Sequence, residues 1–167
     1  METIRIPCQE ASDHTFSLYG QYISDDLRSP DASDNELKFW NKLGVMDHAG
    51  NTSVSIVQTY GKNGLAEHTL ERHARTSELL IPTQDIIVVA ALTKEDDPEL
   101  PNLDTVKAFW VKKGSAVRLY KGTWHHAPLT QAEMVHTFVL FYENTPDEDF
   151  LCYDLGEKFG ISIEVIP

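Results

Sequence analysis

Only two cysteines occur in the chain, Cys8 and Cys152, far apart in sequence. Two distant thiols exclude a disulfide framework and suit a reducing, cytoplasmic compartment. Each reads as an inert packing residue rather than a nucleophile. No apolar run approaches the roughly 20 residues of a membrane-spanning helix, so no membrane partner is expected. The opening METIRIPCQEA lacks the apolar stretch of a secretory signal, which again predicts a cytoplasmic protein. Positive charge is scarce: 14 Lys and Arg stand against 26 Asp and Glu, a formal net charge of −12. Phosphate backbones repel such a chain, so no nucleic-acid partner is expected.

What is present is an ordinary globular composition, 41% hydrophobic and 24% charged over 167 residues. That length predicts one domain spanning residues 1–167, and a chain of this size buries roughly 70% of its unfolded surface. The acid is uneven. Residues 105–132 contain no Asp or Glu but carry Lys107, Lys112, Lys113, Arg118 and Lys121. Lys112 and Lys113, followed by Gly114, read as a solvated turn. Arg118 and Lys121 lie nearer the adjacent pair His125 and His126, where an anionic small-molecule substrate needs a local positive field.

The pattern along the chain is strand-rich. The stretch EASDHTFSLYG predicts a short N-terminal helix over residues 12–19, with Ser12 or Asp13 as cap, Phe16 and Tyr19 on one face, and Gly20 as stop. A polar loop, SDDLRSPDASDNE, follows. Then come short β-branched or aromatic runs punctuated by Gly, Pro, Asn or Asp: ELKFWNKL, TSVSIVQTYG, LAEHTLERH, SELLIP, DIIVVAAL, VKAFWVKKG, SAVRLY, MVHTFVLFYEN and ISIEVI. TKEDDPELPNLD reads as a surface loop. Many short strands with little helix predict an all-β fold, an antiparallel sandwich or barrel.

Alternate side chains of a strand share a face. In HTLERH, Thr69, Glu71 and His73 therefore point one way, and His68, Leu70 and Arg72 the other. A turn over residues 74–77 leads to Glu78, giving Glu-x-His-x4-Glu, three oxygen or nitrogen ligands at a hairpin. Downstream, Gly114, Tyr120-Lys121-Gly122 and His125 follow at fixed spacing, and alternation turns His126 away from the face of His125. Trp124 reads as packing. His14, His48, His68 and His136 have no such company and read as structural.

These two stretches resemble the paired motifs of the cupin superfamily, G-x5-H-x-H-x3,4-E-x6-G and G-x5-P-x-G-x2-H-x3-N. Glu71 stands at the leading His, while His73 and Glu78 match. Asp85 stands at the closing Gly, Tyr120 at the Pro and Leu129 at the Asn. Over most of the chain, and most closely over residues 70–129, the sequence resembles the ureidoglycolate lyase family. LERHARTSELLIP and PNLDTVKAFWVKKGSAVRLYKGTWHHAPL carry the likeness, helped by FSLYGQYI and VHTFVLFYENTPDEDF. Glu78 stands where that family usually has Gln, Asn102 where it has Asp, Ala127 is inserted, and Phe150 replaces a Cys.

The resemblance implies a cupin-like double-stranded β-helix, a jelly-roll barrel, and a homodimer. It also implies a carbon–nitrogen lyase that splits ureidoglycolate into glyoxylate and urea in allantoin and purine breakdown. On this reading His73 and His125 are catalytic, since imidazole titrates near neutrality. Arg118 or Lys121 holds the substrate carboxylate. Glu71, His73, Glu78 and His125 are the candidate ligands of a divalent metal, with Mn, Ni, Fe and Zn all suited to such donors. Two alternatives stay open: a non-catalytic cupin that binds a small ligand, and a metal-dependent cupin acting on another hydroxy acid or sugar acid.

Overall fold

A computed structural model describes residues 1–61 and 65–167. Its elements are β1 (Glu2–Glu10), β2 (Gly20–Ile23), β3 (Ala32–Ser33), β4 (Lys38–Phe39), β5 (Thr52–Tyr60), β6 (Ala66–Glu67), β7 (Thr69–Arg72), β8 (Glu78–Pro82), β9 (Ile86–Thr93), β10 (Pro101–Val111), β11 (Ala116–Leu119), β12 (Trp124–His125), β13 (Met134–Tyr142), α1 (Thr145–Glu148), β14 (Leu151–Asp154), α2 (Leu155–Phe159) and β15 (Ile161–Ile166). Eight strands form one sheet in the order β14-β7-β12-β9-β10-β1-β15-β6. Five form a second, β2-β11-β8-β13-β5, and β3 and β4 make a small hairpin. The chain is thus almost wholly β, and its curled sheets agree with the expected cupin-like barrel.

The central strand β9 explains how the barrel is filled. Its sequence IIVVAALT is a continuous apolar run, the signature of a strand covered on both faces. Ile86, Val88 and Ala90 belong to one core with Leu80, Phe109, Val117, Leu119, Val135 and Val139. Ile87, Val89 and Ala91 belong to a second, with Leu70, Ala108, Trp124, Leu155 and Ile163. The strand is a wall shared by two cores.

Three expectations are corrected. First, the barrel is not purely antiparallel: β1 runs parallel to both β10 and β15. These strands are joined by long stretches of chain rather than hairpins, so nothing forces them to alternate. Second, residues 12–19 form consecutive hydrogen-bonded turns, not a helix. Phe16 N–H donates to the Ser12 carbonyl, and Tyr19 and Gly20 N–H both donate to the Phe16 carbonyl. The hydroxyls of Ser12 and Thr15 bind the local backbone and compete with helical bonding. The expected anchors still bury, Phe16 edge-on to Phe109 with centroids 4.9 Å apart. Among the described residues, the helices that do form are the short α1 and α2. Third, the TKEDDPELPNLD loop is partly strand, because β10 already begins at Pro101, the first residue of a strand, where proline is tolerated.

Candidate active site

Four side chains meet where the two sheets approach. Glu71 lies on β7 directly across from His125 on β12, and paired residues share a face. His125 in turn lies across from Ala90 of β9, whose small side chain in the core leaves room for an imidazole. Glu78 opens β8 on the same face as core residue Leu80. His73 follows β7 immediately. A hydrogen bond from Gly122 N–H to the His73 carbonyl, 2.7 Å, ties this point to the turn before β12. Gly122 and Gly114 both have positive φ (81° and 90°), so the two motif glycines meet backbone requirements that place His125.

The His73 and His125 ring centroids are 5.2 Å apart. His73 Nε2 is 3.0 Å from Glu78 Oε2 and His125 Nε2 is 3.2 Å from the same oxygen. Glu71 Oε1 is 3.4 Å from His125 Nε2. His73, Glu78 and His125 are 5%, 6% and 2% exposed, whereas the Glu71 side chain is 26% exposed and marks the open side. The rings of Phe141 and Phe150 flank His73, each with its centroid 6.0 Å away.

The other ring nitrogens settle the tautomers. His73 Nδ1 lies 2.7 Å from the Asp149 carbonyl, and His125 Nδ1 lies 3.0 Å from the Thr123 carbonyl. A carbonyl only accepts, so both Nδ1 atoms carry hydrogen and both Nε2 atoms face the carboxylates. Two imidazole nitrogens and two carboxylates pointed at one another lack a positive charge unless a proton or a cation sits among them. With a proton there, burial would raise the Glu78 pKa, but the His125 charge and the hydrogen bonds from both histidines outweigh it and hold Glu78 down at about 2. Burial would likewise lower His125, but the Glu78 charge and the bonds to Glu71 and Glu78 push it up to about 10. With a cation, the donor set is that of a divalent ion: one ligand atom each from Glu71, His73 and His125 lie within 4.8 Å of one another. Orienting Nδ1–H bonds to carbonyls are the usual support of metal-binding histidines. The residues present therefore fit a metal ion.

The structure thus brings together Glu71, His73, Glu78 and His125. It separates the rest. Arg72 points to the opposite face, its guanidinium 5.3 Å over the Trp124 ring and bonded to the Pro98 carbonyl. His126 also turns away and pairs with Glu67 at 2.7 Å. A groove of about 280 Å³ beside His126, lined by Val57, Tyr60, Leu65 and Pro128, therefore lies across the β12 wall from the four groups. Arg118, expected at the substrate, lies apart from the four groups. Its neighbours Val117 and Leu119 fill the barrel, so alternation puts Arg118 outside, where it reaches Gln21 and stacks over Tyr120. Lys121 precedes Gly122 beside the site, with its ammonium 2.9 Å from Asp47. Asp47 itself exchanges two hydrogen bonds with Ser77, next to Glu78. Burial and the charge of Glu10 raise the Cys8 thiol to about 12, and Cys152 is raised by burial, Glu71 and Asp154, so neither forms a ready thiolate.

Asp149 escaped the sequence reading. It is buried, and its carboxylate accepts from Ala74 and Arg75 N–H, each at 2.8 Å, while its carbonyl holds His73. Its place in the EDF tail motif was the only signal.

The family model described as ureidoglycolate lyase matches residues 3–162. Proteins named ureidoglycolate lyase from Escherichia coli O1:K1 / APEC and Shigella boydii serotype 18 are each 28% identical over 160 residues, covering 93% of this chain and 91% of theirs. Among solved structures, an oxalate decarboxylase from Bacillus subtilis, studied for its Mn(II) centres, matches with a TM-score of 0.42 and 12% identity. The match covers 78% of this chain and 30% of that one. The match of the family model over nearly the whole length shows that this chain belongs to the ureidoglycolate lyase family.

Proposed function

We propose that the chain cleaves ureidoglycolate into glyoxylate and urea, a step in purine breakdown, at the cluster of Glu71, His73, Glu78 and His125. The observation that carries the reading is the convergence of both Nε2 atoms on two carboxylates in a family member. The reaction breaks a carbon–nitrogen bond. The hydroxyl on the carbon loses its proton, its oxygen becomes the aldehyde carbonyl of glyoxylate, and the ureido nitrogen leaves with a proton as urea. A divalent ion such as Mn, Fe, Ni or Zn, held by His73, Glu78 and His125 with Glu71 at its open side, would supply positive charge for the substrate carboxylate and would make the hydroxyl more acidic. Glu71 is the member nearest solvent, so it is placed to take the hydroxyl proton and return it to the nitrogen. Any proton moved by His73 or His125 moves at Nε2, because each Nδ1–H is committed to a carbonyl. The test is release of glyoxylate from ureidoglycolate by protein purified without chelator, beside a metal analysis. Neither glyoxylate nor urea at high enzyme concentration, with or without added Mn, Ni or Zn, ends the proposal.

Lys121, not Arg118, is the cation that assists the carboxylate. Lys121→Ala raises KM roughly tenfold, the loss of one charge-assisted contact, with kcat little changed. Arg118→Ala leaves both constants nearly as they were. Initial-rate kinetics on the two variants decide this, and the reverse ranking would overturn it.

The homodimer belongs to the same proposal. In a chain of net charge −12, strands β5 and β13 contain no Asp, Glu, Lys or Arg. Their outer face presents Val54 and Ile56, 68% and 57% exposed, beside Phe138, with Ile81 of β8 next to it. β5 is also an edge strand. A second copy is the fitting occupant, since two such acidic chains approach with least repulsion where both are uncharged. Ile56→Glu places like charges in that contact without touching the core. Sedimentation gives a dimer for wild type and a monomer for the variant, and a monomeric wild type at about 100 µM, well above the micromolar range of stable interfaces, overturns it.

A further inference from the structure

We infer that Asp149 is a positioning residue that sets the tautomer and orientation of His73. The inference rests on the proposal that His73 belongs to the active site.

Asp149 ends the single turn α1, where its N–H donates to the Thr145 carbonyl at 3.0 Å. Thr145 is itself buried, and its hydroxyl donates to the Tyr142 carbonyl at 2.6 Å. Asp149 is therefore fastened to the end of β13. From there it faces the chain leaving β7 and binds it at three points. One carboxylate oxygen accepts from Ala74 N–H and the other from Arg75 N–H, while the backbone carbonyl accepts from His73 Nδ1–H. Two consecutive N–H groups aimed at one carboxylate are charge-assisted contacts, roughly twice as strong as neutral ones. They fix where the residues after His73 go, and so the backbone from which its ring projects. The carbonyl then fixes the ring: with hydrogen on Nδ1, the Nε2 lone pair faces Glu78.

A residue serving only as a loop cap would need the two carboxylate bonds and no contact with the ring. The third bond is the sign of a positioning role. His125 has its own carbonyl, that of Thr123, from a different turn, so it is an internal control.

The experiment reads the imidazoles directly. In protein with ¹⁵N-labelled histidine, freed of metal by chelator, the ring of His73 is assigned by comparison with His73→Gln. Wild type should show a slowly exchanging Nδ1–H on His73, and a His73 ring with hydrogen on Nε2 alone overturns the inference before any variant is made. In Asp149→Asn one acceptor oxygen becomes an amide that cannot accept from an N–H. The His73 ring signals should then shift and their N–H exchange speed up, while those of His125 stay in place. Mn(II) affinity of the same protein should fall roughly 10- to 100-fold, the usual scale for groups that support a metal ligand. Asp149→Glu, which restores both oxygens, should recover part of it. Folded Asp149→Asn with unchanged His73 signals and unchanged Mn(II) affinity sinks the positioning role. A wild type that binds Mn(II) and shows the expected His73 signal, yet releases no glyoxylate, refutes the assigned reaction and leaves Asp149's role standing.

Discussion

His125→Ala lowers kcat for glyoxylate release from ureidoglycolate by at least about 10²-fold, the scale for removing a positioned acid or base. The same variant is less stable. His125 is the first charge partner of Glu78, and Glu78 is buried. Removing one member of a buried pair strands the other, at a cost of about 3–5 kcal/mol. His73 remains at 3.0 Å and softens the loss. Kinetics and chemical unfolding of the purified variant measure the two effects separately. His126→Ala is the matched control: one residue along, on the other face, it should leave kcat within a few-fold of wild type. Equal kcat losses in the two variants would mean that the face of His125 has no special part in the reaction.

Glu78→Gln is the second large effect, and pH is its readout. Glu78 has a lowered pKa, so its share of stability is present above the usual carboxylate value of 4.5 and disappears as pH falls through about 2. His125 has a raised pKa, so its share is complete below 6.5 and disappears as pH rises through about 10. In metal-free wild type this pair therefore makes stability fall between pH 6.5 and 10. Glutamine carries no charge to hold the proton on His125, and burial then favours the neutral ring. Glu71 still draws the proton toward His125 in the variant, so the alkaline fall should shrink and move to lower pH, and Mn(II) affinity should drop at least about tenfold for the lost ligand. Urea unfolding at several pH values and a metal titration test both. A variant with wild-type pH dependence refutes the pairing. If it gains lyase activity in chelator, the residue usual at this position in the family suffices, and an ion is incidental to the reaction.

Much of this was legible before any coordinates. ERH and GTWHH held three of the four side chains that meet, and strand alternation divided Glu71 and His73 from Arg72, and His125 from His126. Alternation applied to AVRL would also have turned Arg118 outward, since Val117 and Leu119 are the apolar partners; proximity to the histidines was the weaker guide. Asp149 was beyond reach, because its role uses a backbone carbonyl and two turn N–H groups more than 70 residues away. The first strand was missed because Pro7 argues against a central strand. Pro7 is tolerated at a handover: β1 pairs with β15 as far as Pro7↔Ile166, and with β10 from Cys8↔Ala108 onward.

That first strand has a consequence for synthesis on the ribosome. β1 emerges well before both its neighbours, β10 and β15. At about 5–20 residues per second, its backbone groups wait for seconds without their native partners. The barrel wall is completed only once residues 161–166 have left the exit tunnel. Until then ETIRIPCQE is an unpaired strand in the cell, with Arg5, Glu10 and Pro7 as its protection against premature pairing with another chain.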